Sequence, residues 1–414
     1  MPMGARMNSL LILAISLLAT AQNQVRPASS LLPQPSGRYP IGRQRFEWTD
    51  TTRHNPDGTP RRMIVFVLYP AARTQGASEE YFPGAEKLAR GADTSNLEQT
   101  FGRAWPLIQS GLISSHASDS APILTGRPKL PVLLFSPGLD IPTEAYSVQL
   151  EDLASHGYLV TAIEHPFDTP LLSFADGKQV AFDAVNWGEH QPPGPPTVEG
   201  LRFGKGKQDD WYADSAFVIG KLTELSRTSG DSIFRRIDPA RIGAFGHSFG
   251  GVVAARLCQT EPRVMACLNE DGEMFGRTVI PGQFVPSLDP KQETTKSLAV
   301  ITLVEPGLKS NADFQRLRKA TRISLLEYLR VHTSHSYLVT IDRPSMRHLS
   351  FSDIPLLNDA SGRFTNRSNL ELVRSAVLSF FEDNLTHNSF SRFRKVLAGS
   401  PDLKLQEFFR RESE

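Results

Sequence analysis

Ile242-Gly243-Ala244-Phe245-Gly246-His247-Ser248-Phe249-Gly250-Gly251 is the stretch on which the reading of this chain turns. It opens with small and apolar residues, as a buried strand does, and Val252 to Cys258 continues it with helical character. Ser248 therefore sits on a strand-to-helix turn. The two glycines of Gly246-His247-Ser248-Phe249-Gly250 have a steric reason. Such a turn holds the serine in a strained backbone conformation, and side chains at 246 and 250 would collide with the neighbouring strand and helix. The hydroxyl is then presented at a helix N-terminus, where the dipole and the N–H groups favour a developing negative charge. Gly-x-Ser-x-Gly alone is a weak pattern. Between a strand and a helix it is the pattern of a nucleophile elbow, and Ser248 is the candidate nucleophile.

Outward from the turn, the chain alternates short apolar runs with helical stretches. Arg43 to Thr49 and Met63 to Tyr69 read as a hairpin around the turn signal Asn55-Pro56-Asp57-Gly58. Pro131 to Phe135, Tyr158 to Ile163, Arg241 to Phe245, Val264 to Leu268, Leu298 to Val304 and Tyr337 to Ile341 read as strands. Helices are expected around Thr143 to His156, Trp211 to Ser226, Phe314 to Val331 and Leu370 to Leu385. Continuous apolar strands alternating with helices predict a mostly parallel central sheet with helices on both faces, and together with the nucleophile elbow this makes the α/β-hydrolase fold the expectation. One Pro/Gly-rich stretch, 166 to 208, interrupts the alternation after a strand's carboxyl end. It reads either as a functional loop or lid near the site or as a surface insertion.

A nucleophilic serine needs a base, and the base an orienting carboxylate. In this fold both follow the serine. His54, His116, His156 and His165 precede it. His247 is its neighbour and is expected to point away at the sharp turn. His332 and His335 fall before the strand Tyr337 to Ile341. His348 lies in the loop after that strand and is the candidate base. Two acids are placed for the remaining role: Asp271, after the first strand beyond the nucleophile, and Glu305, after the second. Position alone slightly favours Glu305.

Phe135-Ser136-Pro137-Gly138-Leu139, Gly246 to Gly251, Asp271-Gly272-Glu273-Met274-Phe275, His348-Leu349-Ser350-Phe351-Ser352-Asp353 and the early strand ending Tyr69-Pro70-Ala71 together resemble motifs of the platelet-activating factor acetylhydrolase family. The resemblance spans about residues 40 to 385. It implies that Asp271 is the acid, with Glu305 the alternative, and that the backbone N–H groups of Leu139 and Phe249 form the oxyanion hole. It also implies a serine esterase without cofactor or metal. Its substrate would be the sn-2 ester of a phospholipid with a short or oxidised acyl chain, met through transient contact with a lipid surface. A broad carboxylesterase or polyester hydrolase is the alternative enzyme, and a non-catalytic binding module the alternative of another class. Pro137 and Gly272-Glu273 depart from the family's residues at the pocket wall, which bears on substrate choice.

Length and composition bound these readings. The chain has 414 residues, a formal charge of +1 and 40% apolar residues, enough for a sizeable core and without the charge bias of a nucleic-acid partner. Residues 1–21 have the order of a secretory signal peptide: Arg6, the apolar run Leu10 to Ala19, then Ala19-Thr20-Ala21. A secreted or periplasmic protein is expected, with no transmembrane segment. Residues 22–40 read as a loose leader, 41–388 as the catalytic domain and 389–414 as a charged tail. Cys258 and Cys267 read as two buried free thiols, with a single bridge as the alternative.

Overall fold

The computed structural model describes residues 31–409 except 56, 74–78, 92, 127, 192–196, 275–286, 305–311, 360–362, 388 and 390. The expected signal peptide, residues 1–21, lies outside the described residues. The strands are β1 (Ile41–His54), β2 (Pro60–Pro70), β3 (Ala117–Asp119), β4 (Leu130–Ser136), β5 (Leu159–Glu164), β6 (Leu171–Ser173), β7 (Gln179–Ala181), β8 (Ile237–His247), β9 (Val264–Glu270), β10 (Thr294–Leu303), β11 (Thr333–Ile341) and β12 (Leu403–Phe409). All but the β6–β7 hairpin join one sheet, in the order β12-β11-β10-β9-β8-β4-β5-β2-β1-β3.

From β11 to β5 the sheet is parallel; β2 runs against both β5 and β1, and β12 runs against β11. β5 lies on one side of β4 and β8 on the other. The strand order therefore reverses at β4, and the carboxyl ends of β4 and β8 flank the crevice where such sheets bind ligands.

The apolar runs are continuous because both faces of the sheet are covered. In β4, Val132 and Leu134 pack with Leu159, Ile163, Ile242 and Ala244, beneath the helices Val198–Thr228 and Phe249–Thr260. Leu133 and Phe135 point the other way, to Val160, Ala162 and Phe245 beneath the helices Ser147–Ser155 and Arg363–Phe381. Alternation in space thus leaves no alternation in polarity along the strand.

Three expectations change. Residues 31–40 are docked rather than loose: Leu32 is buried, Ser36 N–H donates to Asp152 Oδ1 at 2.6 Å, and Tyr39 N–H donates to Ser155 O at 3.1 Å. The charged tail contributes the helix Ser391–Ala398 and strand β12, which extends the sheet with Val339 opposite Leu405. Leu403 and Leu405 alternate with charged neighbours, as suits an edge strand. The charges have partners: Arg394 grips Glu407 at 2.7 and 2.6 Å, and Lys404 meets Asp342 at 2.6 Å. Finally, Cys258 and Cys267 form a disulfide, because the first helix after β8 brings its cysteine within 5.9 Å (Cα–Cα) of the one on β9. This corrects the free-thiol reading.

The two cysteines are nine residues apart, and closing a loop of that size stabilises a chain by about 2–3 kcal/mol. The double variant Cys258→Ser/Cys267→Ser is expected to lose about that much in urea titrations. Unreduced, unfolded wild type should show no free thiol. Equal midpoints for the two proteins would contradict the bridge's contribution.

Candidate active site

β8 ends at His247, and the helix Phe249–Thr260 starts directly after Ser248. Ser248 has φ 54° and ψ −116°, a conformation that L-residues rarely adopt. The flanking glycines make this possible. A Cβ on Gly250 would lie 2.1 Å from the Ser136 carbonyl oxygen and 2.4 Å from that of Pro137, and one on Gly246 would lie 2.5 Å from Ser136 O. In the space so left, Gly250 N–H donates to Pro137 O at 3.1 Å. The end of β4 and the turn at Ser248 are therefore in direct backbone contact. Leu139 and Phe249 flank that contact, and both pack against the same apolar cluster.

β9 runs parallel to β8 and ends at Glu270. Its carbonyl accepts the Ser248 N–H at 2.8 Å. Asp271 follows in the left-handed region, φ 55°, with its N–H on Ile301 O at 2.8 Å. Asn269 pins the turn, accepting from Gly272 N–H at 2.8 Å and donating to Gly272 O at 2.9 Å. Gly272 is sterically required here, since a Cβ would meet the Ser248 carbonyl oxygen at 2.2 Å. The departure at 272 thus has a backbone cause.

These turns aim the Asp271 carboxylate at the loop after β11. Its Oδ1 accepts from Leu303 N–H at 3.2 Å and Thr302 hydroxyl at 3.3 Å, and its Oδ2 lies 2.8 Å from His348 Nδ1. The aspartate side chain is 6% exposed and the imidazole 41%, so the pair is anchored at the acid and open at the ring. His348 starts a single 3₁₀ turn, His348–Phe351, held by Arg347 N–H on Ser350 Oγ at 3.0 Å. The structure thus brings Asp271 and His348 together beyond the strand ends that flank Ser248. Glu305 lies outside the described residues.

Two buried groups beside the pair are held neutral. His247 packs its ring 4.5 Å from that of His348, with Nδ1 2.8 Å from the Tyr146 hydroxyl. That hydroxyl also accepts the Gly138 N–H at 3.0 Å. Burial, and then repulsion from His348, keeps the His247 imidazole well below the usual histidine range. Burial pushes the Glu270 carboxyl up to about 8, although Gln149 Nε2 donates to it. It is therefore protonated at neutral pH.

The sequence reading passed over a second buried cluster. His165 Nδ1 lies 2.8 Å from Asp214 Oδ2, and its Nε2 lies 3.3 Å from Ser136 Oγ at the end of β4. Arg61 grips Asp214 through two hydrogen bonds, 3.0 and 2.7 Å, and Arg53 adds a third at 2.6 Å. Burial pushes the Asp214 carboxyl up, but Arg61 and His165 outweigh it and hold the group far below the carboxylate range. The order serine, histidine, aspartate is that of a nucleophilic triad. All three residues are buried, however, so this set anchors β4. Its sequence signal was Glu164-His165 at the carboxyl end of a strand. Among the described residues, no group of three or more His, Cys, Asp or Glu side chains could hold a metal ion.

Several known proteins are similar to this chain. The family described as platelet-activating factor acetylhydrolase, isoform II, matches residues 25–179, a span that includes β4 but ends before Ser248. A probable 1-alkyl-2-acetylglycerophosphocholine esterase of Arthroderma benhamiae is 27% identical over 84% of this chain and 82% of its own. Platelet-activating factor acetylhydrolase of Canis lupus familiaris is 30% identical over 59% of this chain and 56% of its own length, so the chain spans little more than half of that relative. A solved ferulic acid esterase from Streptomyces cinnamoneus superposes with a TM-score of 0.64 at 18% identity, covering 90% of this chain and 98% of the other. The sheet order and this likeness give the α/β-hydrolase fold.

Glu270 generates a pH prediction. Burial holds its carboxyl at about 8 in the folded protein, well above the ordinary glutamate range. The stability it contributes is complete below the unfolded value and is lost as pH rises through the folded one. Glu270→Gln should therefore raise the melting temperature more at pH 9 than at pH 5. Equal shifts at both pH values would show that Glu270 is not buried as an acid.

Proposed function

Because the chain is an α/β-hydrolase esterase related to the platelet-activating factor acetylhydrolase family, we propose that it cleaves carboxylic esters through an acyl-enzyme on Ser248, with His348 and Asp271 completing the triad. The observation that carries this reading is the 2.8 Å contact between Asp271 Oδ2 and His348 Nδ1 beyond the strand ends that flank the elbow serine. His348 Nε2 takes the Ser248 proton as the oxygen attacks the ester carbonyl. Asp271 holds the imidazole with its proton on Nδ1. The Leu139 and Phe249 N–H groups receive the oxyanion, one from the loop after β4 and one from the first turn after the nucleophile. The tetrahedral intermediate collapses, the alcohol leaves with the proton from His348, and water activated by the same ring releases the acid.

For substrate, the reading is the sn-2 ester of a phospholipid with a short or oxidised acyl chain, approached at a lipid surface. The names of the Arthroderma and Canis relatives support it. For location, the reading is secreted or periplasmic. The disulfide supports it, since such bridges persist in oxidising compartments, and so does the order of charge, apolar run and small residues in 1–21. Among the described residues no helix is long and apolar enough to cross a membrane.

Hydrolysis of p-nitrophenyl acetate tests the chemistry. Ser248→Ala should fall by about 10⁶-fold and Asp271→Asn by about 10⁴-fold in kcat, with Glu305→Gln close to wild type. Activity in Ser248→Ala equal to wild type would overturn the enzyme reading, and a large loss in Glu305→Gln alone would transfer the acid role. An sn-2 acyl-length series on phospholipids tests the substrate. A steep preference for long intact chains, or for simple esters over every phospholipid, would count against it.

A further inference from the structure

Leu139 and Phe249 belong to different elements, and an oxyanion hole works only if both N–H groups point at one place. One buried residue touches the supports of both. Asp168, 1% exposed, lies in the turn after β5. Its backbone carbonyl accepts the Asp140 N–H at 3.0 Å. Asp140 is the residue after Leu139 and has φ 58°, so this bond fixes a left-handed turn at the end of the loop that carries the first donor. The Asp168 carboxylate collects three donors: Trp187 Nε1 at 3.0 Å, Lys207 Nζ at 3.0 Å and Trp211 Nε1 at 2.9 Å. Both indoles then set their rings edge-on to Phe249, with centroids 5.9 Å (Trp187) and 4.9 Å (Trp211) away. Trp211 is held from its other side by the His165 ring, stacked at 3.9 Å.

The geometry points to Asp168 as the positioning residue of the oxyanion hole, fixing the Leu139 side through its backbone and the Phe249 side through the two indoles. The inference rests on the catalytic reading of Ser248, Leu139 and Phe249. A buried carboxylate with three charge-assisted or indole donors is strongly held, and removing one acceptor leaves donors without partners. Phe249 is then free to tilt, and the Asp168 backbone, whose carbonyl still accepts the Asp140 N–H, loses the side-chain anchor that fixes its place. Neither change touches the Asp271–His348 pair, so the loss falls on stabilisation of the oxyanion and leaves proton transfer in place. Lys207 and Trp187 come from the stretch 166–208. By this inference Trp187 and Lys207 are fixed supports of the hole, and Trp187 does not swing away as part of a lid.

The test compares ground-state and oxyanion-like binding. A trifluoromethyl ketone adds the serine oxygen and leaves an oxyanion in the hole, whereas KM for p-nitrophenyl acetate reports largely on the substrate. Active sites are counted with a fluorophosphonate so that misfolded protein does not enter kcat. Asp168→Asn should lower kcat by about 30–100-fold and weaken the ketone by a similar factor, while KM stays within about threefold. Trp187→Phe keeps an aromatic ring, though a smaller one, and removes the donor, so it should lose about 5–10-fold in both quantities. It carries the test if Asp168→Asn does not fold. A loss in kcat with ketone affinity unchanged, or no loss in either variant, overturns the assignment of Asp168. If Ser248→Ala hydrolyses the ester as wild type does, the reading of the nucleophile fails and the inference falls with it, an outcome distinct from the other two.

Discussion

Every part of the site depends on how closely the end of β4 approaches the turn after β8. The two strands are paired to Ser136 and Gly246, and the contact continues past the sheet as the hydrogen bond from Gly250 N–H to Pro137 O. No side chain fits between them, which is why residues 246 and 250 lack one. The helix Phe249–Thr260 must then begin immediately, and Ser248 is left as the residue that takes up the backbone strain. The loop from Pro137 to Asp140 inherits its place from the same contact. Strain at one serine is thus sustained by burial of the strands on either side, whose pairing is far more costly to undo than a single unfavourable φ,ψ pair.

Around this contact the protein distributes charge selectively. Consecutive residues Glu270 and Asp271 have opposite surroundings. Glu270 points into the packed interior beside Gln149 and is kept protonated by burial, whereas Asp271 receives two donors from the end of β10 and faces His348. His247 is kept neutral in the same way. Farther from the reacting atoms, charge is tolerated where it is fully matched: Asp214 takes Arg61, Arg53 and His165. Removing one member of such a cluster leaves a buried charge unpaired, which costs more than the intact cluster contributes.

What could be read from sequence follows from this economy of contacts. The elbow was legible because its glycines are forced by backbone proximity, and proximity of that kind leaves a mark on residue type. The parallel sheet was legible because both faces are buried. β12 was not, since an edge strand with one covered side and charged neighbours resembles a surface tail until its partner β11 is known. The contact of Asp271 with His348 could not be read from position, because it depends on the left-handed turn at 271 and on the bonds of Asn269, neither of which a strand count contains. The disulfide was missed for a related reason: two cysteines on successive elements can face each other or opposite sides, and only the packing of the helix after β8 on β9 sets which. The support at Asp168 left no mark, and that at His165 only its place at a strand end, because each residue acts through partners on elements distant in the chain.

The stretch 166–208 shows why loops around such an elbow are not interchangeable. Its first part is a tight hairpin, β6 with β7, and its second part is already the start of the long helix Val198–Thr228, capped by Thr197 on Gly200 N–H at 3.0 Å. Between them Trp187 leans on Phe249 and Phe203, and Phe203 in turn stacks on His190 at 4.3 Å. The ring that borders Ser248 is thus held by side chains of this stretch. A substitution that enlarges this wall must also loosen Phe249, whose backbone opens the helix behind the nucleophile. The packing of Trp187 and the geometry at Ser248 are therefore coupled through one aromatic cluster, and they change together.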